Sequence, residues 1–163
     1  MKLIPEWFNH QYCLIAWPCN KDLYGDIINK ARDEVANVIN EISKTERVIV
    51  LSNKEDINEI ENKTNLENID VIECKLDDSW MRDIAPIFYN EDKKLKSISF
   101  DFNGYGKYPD YVNDNKISKF ISNHLNIPTK NSDLVIEGGA ITYDDRKNLF
   151  STKNVLFNKN RKQ

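Results

Sequence analysis

Histidine is nearly missing from this sequence, with His10 and His124 the only two. Cysteine is scarce as well. Cys13, Cys19 and Cys74 are odd in number and lack the C-x-x-C or Cys/His spacing of a zinc site, which argues against a disulfide framework and a structural metal. They are expected to be thiols outside disulfides, partly buried as small apolar residues. Neither sign of charge dominates: 23 basic and 26 acidic residues leave a net charge of -3, and only the last eight residues are locally basic. That balance gives no electrostatic reason to expect nucleic acid or an anionic membrane as partner. Long hydrophobic runs are absent too, and Pro5, Glu6, Asn9 and His10 interrupt the first stretch, so neither a membrane span nor a signal-peptide core can be drawn. A cytoplasmic location is the resulting expectation.

What is present suits a folded α/β unit, since 163 residues with a 40% apolar share can enclose a real core. CLIAWP (13–18) reads as a buried strand ended by Pro18. From Asp22 to Lys44, Ile27, Ile28, Ala31, Val35, Val38, Ile39 and Ile42 recur at helical spacing. RVIVLS (47–52) reads as a strand buried on both faces, 54–62 as a polar helix, and IDVIECKL (69–76) as a third strand. PIFYN and LKSISFDF flank the polar turn NEDKK as a hairpin, 103–111 is a glycine- and tyrosine-rich loop, and 112–125 is a second amphipathic helix. DLVIE (133–137) is a further strand running into Gly138-Gly139, with a second hairpin turning at Asp144-Asp145-Arg146. The cadence of strand, helix, strand and hairpin suggests a structural repeat. The end, VLFNKNRKQ, shows no closing strand, so either the chain is short for its architecture or its last residues are disordered.

The densest chemistry lies in DDSWMRDIAP (77–86), which follows a predicted strand, where ligands of α/β folds usually sit. Asp77, Asp78, Asp83 and, further on, Glu137 are acids placed near an indole. Carboxylates can accept the fixed fork of a guanidinium while an indole covers its face. A hard metal ion is the competitor, but neither stretch has the alternating spacing of a calcium loop. Blander readings stand beside these. Asp77, Asp78 and Ser79 are ordinary turn residues, Trp80 a packing residue, Arg82 and Asp83 a local ion pair, and Gly138-Gly139 a bulge. The residues by themselves go as far as an acidic loop for a small cation.

Together, EWFNHQYCLIAWP, DDSWMRDIAPIF, FDFNGYGKY and VIEGGAITYDDRKNLFSTKNVLFNKNR resemble, in order and at matching separations, the amino-terminal half of the agmatine deiminase family, relatives of bacterial peptidylarginine deiminases. The W-x-R-D motif (Trp80 to Asp83) and the E-G-G motif (Glu137 to Gly139) carry the likeness. It implies a pentein-like, five-bladed α/β propeller of ββαβ modules, with residues 1–163 supplying about two blades and no carboxyl-terminal half. It also implies hydrolysis of a guanidine carbon–nitrogen bond, with agmatine giving N-carbamoylputrescine and ammonia on the way to putrescine, and no cofactor. In that chemistry a cysteine thiolate attacks the guanidinium carbon and a histidine protonates the leaving ammonia.

By this resemblance Asp83 and Glu137 are the guanidinium-binding acids, Trp80 walls the pocket, and Gly138 and Gly139 let the backbone approach closely. Arg82 would be structural, and Tyr105 stands where the family usually has Trp. The family's G-H-x-D histidine and late cysteine have no counterpart at His10, His124, Cys13, Cys19 or Cys74. The expectation is an incomplete agmatine deiminase, inactive alone, binding a small guanidine. It would form a homo-oligomer or pair with a complementing carboxyl-terminal half. The alternatives are peptidylarginine-type activity and a non-catalytic guanidinium-binding or assembly module.

Overall fold

The structure, a computed structural model, describes residues 1–160. In chain order the elements are β1 (Lys2–Leu3), β2 (Tyr12–Ala16), α1 (Lys21–Tyr24), α2 (Ile28–Ser43), β3 (Arg47–Ser52), α3 (Ile57–Lys63), β4 (Ile69–Glu73) and α4 (Met81–Ile84). Then come β5 (Ile87–Glu91), β6 (Lys94–Asp101), α5 (Asp114–His124), β7 (Thr129–Val135), β8 (Thr142–Tyr143), β9 (Leu149–Phe150) and α6 (Lys153–Leu156). They divide into two compact units, one of Asn9–Met81 and the other of Met1–Phe8 with Arg82 onward.

The Asn9–Met81 unit is a parallel three-stranded sheet in the order β2-β3-β4. β3 is central, so Val48 through Ser52 are buried on both faces, as a continuous apolar run predicts. Trp17, Ala36, Ile39, Val48, Val50, Ile60 and Ile69 form its core. The long helix departs from expectation. Gly25, at φ +53, ends α1 and a single 3-10 turn restarts the chain as α2. The buried face of α2 is Arg32, Ala36, Ile39 and Ser43, while Val38 is half exposed and Ile27 mostly exposed. The reason is Arg32. Its guanidinium pairs with Asp56 at 2.8 Å and with Glu59, and its Nε donates to the Pro18 carbonyl at 3.0 Å. Those bonds turn the helix so that a charged residue takes a core position.

β4 ends at Glu73, three residues before the expected boundary, but Asn53 carries the pairing onward. Its side chain accepts from the Leu76 N–H at 3.0 Å and donates to the Leu76 carbonyl at 3.2 Å, fixing the chain that leads into Asp77.

The other unit is a four-stranded sheet in the order β1-β5-β6-β7, antiparallel except between β6 and β7. The expected β5–β6 hairpin is present. Its two turn residues, Asp92 and Lys93, both take left-handed φ (52° and 60°), which matches the twist of paired strands. α5 carries the chain across to the parallel neighbour, burying Ile117 and Ile121.

β7 begins at Thr129, four residues before the predicted strand, and ends at Val135, so Glu137 lies just past it. Polar residues such as Lys130, Asn131 and Asp133 hid it from pattern reading, yet β7 is an edge strand and can leave them in water. The second hairpin forms with two-residue strands, its turn tied by Asp144, which accepts from the N–H groups of Arg146 and Asn148. Of the chain end expected to be disordered, residues 161–163 lie outside the described residues; before them α6 is capped by Thr152.

Candidate guanidinium site

Asp83 is placed by the short helical turn Met81–Ile84, and both of its carboxylate oxygens are engaged. Oδ1 accepts from the Gly139 N–H at 3.0 Å, and Oδ2 accepts from the Tyr105 hydroxyl at 2.5 Å. An aspartate held by donors on separate oxygens keeps a defined plane, because each bond removes rotation about the last side-chain torsion.

The glycine pair explains how Gly139 gets there. A Cβ on Gly138 would sit 2.4 Å from the Arg82 carbonyl oxygen, and one on Gly139 would sit 2.3 Å from Asp83 Oδ1. Close approach is therefore the role of both glycines, and in this structure the group approached is the W-x-R-D turn. Gly138–Ala140 form a single 3-10 turn, closed by the Ala140 N–H donating to the Glu137 carbonyl at 2.9 Å. Glu137 precedes that turn in extended conformation and is only 3% exposed. Burial of a carboxyl group to this degree requires a defined set of partners.

Tyr105 is the residue that motif reading noted only as standing where the family usually has Trp. It sits in NGYGKY, at the carboxyl end of β6, with φ values of +61°, +61° and +66° at Gly104, Tyr105 and Gly106. The left-handed conformation is costly for a tyrosine. Its ring is held edge-on by Phe102 at 5.2 Å and Tyr108 at 6.2 Å between centroids. A tyrosine between two glycines just after a strand was the available signal.

Arg82 corrects another reading. It makes an ion pair, as a structural role requires, but with Glu6 at 2.6 Å rather than with its neighbour Asp83. Trp80 belongs to the Asn9–Met81 unit and is 43% exposed. It bonds to Asp78, which is buried and accepts from the Ser79 N–H at 2.7 Å. Burial is the largest influence on Asp78 and raises its pKa above the ordinary aspartate value, with the Ser79 and Trp80 bonds opposing it. Asp78 thus orients the indole rather than standing as a spare turn residue.

The three cysteines are half-buried thiols. Cys13 lies in β2, where burial first and Glu46 second push its thiol above the ordinary value. His10 is an exposed partner of Glu46 at 3.5 Å, and His124 ends α5 stacked on Phe120. A raised thiol pKa means less thiolate at neutral pH. Iodoacetamide at pH 7 should therefore modify Cys13 more slowly than an unstructured peptide thiol, with urea abolishing the difference in a mass-spectrometric time course. Alkylation faster than the peptide would make Cys13 an activated nucleophile after all. No group of acids, histidines and cysteines able to hold a metal occurs among the described residues, and no helix among them is long and apolar enough to cross a membrane.

The fold is that of the pentein-type deiminases. The agmatine deiminase of Enterococcus faecalis superposes with a TM-score of 0.92 at 21% identity, over 98% of this chain and 46% of that one. The chain belongs to the Porphyromonas-type peptidyl-arginine deiminase family, whose model matches residues 2–163. Among its relatives, a Mycoplasma capricolum protein named "Putative agmatine deiminase" is 35% identical over 96% of this chain and 44% of its own length. An agmatine deiminase of Medicago truncatula is 29% identical over 96% of this chain and 45% of its own. The chain spans less than half the length of these curated relatives.

Proposed function

We propose that this chain carries the guanidinium-binding acids of an agmatine deiminase, a hydrolase that converts agmatine and water to N-carbamoylputrescine and ammonia in a cytoplasmic route to putrescine. Residues 1–163 would be the amino-terminal part of a propeller domain. The observation that carries this reading is Asp83, fixed at both oxygens and seated against a glycine pair with no room for a side chain. A guanidinium needs such an acceptor, with its lone pairs in a set plane, because the cation's donors form a rigid fork. Glu137, buried in the same unit as Asp83, would supply the second acceptor. The relatives named agmatine deiminase support the choice of reaction.

The nucleophilic cysteine and the proton-donating histidine of that reaction would not be among Cys13, Cys19, Cys74, His10 and His124, whose surrounding sequence does not match the family's motifs. Those groups would have to come from another polypeptide segment, joined in the same chain or contributed by a partner. The 163-residue protein should bind agmatine and yet release no ammonia above a buffer blank. Turnover that survives replacement of all three cysteines by alanine would overturn this division of labour. The family description favours one second reading, a peptidyl-arginine substrate. Titration with a blocked arginine peptide decides between them: agmatine is expected to bind at least tenfold tighter, and the reverse order would assign the peptide.

A further inference from the structure

We propose that Tyr105 is a positioning residue of the guanidinium site, its hydroxyl locking the plane of the Asp83 carboxylate so that each oxygen keeps one lone pair for the cation. This rests on the reading of Asp83 as the guanidinium acceptor. Each carboxylate oxygen has two lone pairs. One on Oδ1 is taken by the Gly139 N–H and one on Oδ2 by the Tyr105 hydroxyl, which leaves one on each oxygen, the number a bidentate guanidinium uses.

The two donors come from different segments, so they brace the carboxylate independently. Gly139 N–H alone would fix one oxygen and leave the plane to rotate about it. The Tyr105 hydroxyl donates to the acid at 2.5 Å. Its backbone shows that the placement is imposed. The tyrosine is held left-handed between two left-handed glycines, and Phe102 and Tyr108 meet its ring at 88° and 81°, aiming the hydroxyl. Backbone strain of this kind persists only where surrounding contacts dictate it.

The test compares the full 163-residue chain with Tyr105→Phe, Tyr105→Trp and Asp83→Asn, using agmatine as the probe. Phenylalanine keeps the edge-on ring contacts and removes only the donor, so the amide NMR spectrum should stay that of the folded protein. Agmatine binding should weaken about tenfold, the loss of one hydrogen bond to a charged group. Tryptophan, whose indole N–H is also a donor, should restore binding to within about threefold, which a purely structural tyrosine would not predict. A crystal structure of Tyr105→Phe should show Asp83 in a second rotamer. Unchanged affinity and a single Asp83 rotamer in Tyr105→Phe would overturn the proposal while Asp83→Asn still abolishes binding. Wild-type affinity in Asp83→Asn would instead remove the guanidinium reading, and this inference with it.

Discussion

Gly139→Ala should cost the protein its agmatine affinity while Gly138→Ala should cost it stability. The two glycines are adjacent, but an added methyl group meets different obstacles. At Gly139 the obstacle is Asp83 Oδ1 at 2.3 Å, the end of a side chain that can rotate away. Rotation breaks the Gly139 bond and moves the acid, so affinity should fall between tenfold and a hundredfold, about the worth of the charged hydrogen bonds lost. At Gly138 the obstacle is the Arg82 carbonyl oxygen at 2.4 Å, a backbone atom that moves only with its segment. Overpacking of that kind costs about 1–3 kcal/mol. Urea denaturation and calorimetric titration of both variants check the contrast. Equal losses of stability, with affinity spared in Gly139→Ala, would show that the pair is a packing device alone.

Arg32→Ala should be the most destabilising single change in the Asn9–Met81 unit. Arg32 is buried, paired with buried Asp56 and half-buried Glu59, and its Nε is tied to the Pro18 carbonyl. Removing one member of a buried ion pair leaves the other charged group without compensation, a loss of about 3–5 kcal/mol. The loss should depend on pH. Burial, the largest influence, already raises the Asp56 pKa above the ordinary aspartate value, and Arg32 pulls it back down. Without Arg32 the pKa rises further. An acid whose folded pKa is raised loses stability as pH climbs through the interval between its unfolded and folded values, and below that interval it is neutral in both states. The variant should therefore be closer to wild type at pH 4 than at pH 7, and adding Asp56→Asn should recover part of the deficit at pH 7. A deficit independent of pH, unrelieved by Asp56→Asn, would assign the cost to lost packing of the arginine stem.

The same residues show how far the sequence was readable. β3 was evident because a central parallel strand is apolar on both faces, and the β5–β6 hairpin because a polar turn separates two apolar runs. α2 was placed correctly as a helix, and Val35, Ile39 and Ile42 of its expected stripe meet the core, but periodicity counts apolar residues and cannot foresee an arginine drawn in beside them by two acids from a later segment. β7 was hidden because an edge strand tolerates polar side chains.

Asp83 and the glycine pair stand out in the sequence as motifs, whereas the contact that brings them together does not. It joins the Arg82–Asp83 turn to a segment more than fifty residues away, which no local pattern encodes. Tyr105 was visible as a residue and invisible as a donor, for the same reason. Asp78 read as a turn acid and proved to be a buried partner of Trp80.

Calorimetric titration of the 163-residue chain with agmatine, alongside Asp83→Asn and Glu137→Gln, tests the central claim most directly. Binding by the wild type that falls at least tenfold in each variant is the predicted result, the cost of removing one charged acceptor from the cation. Equal heats from all three proteins, or wild-type binding of 1,4-diaminobutane as strong as that of agmatine, would contradict a guanidinium site built on these two acids.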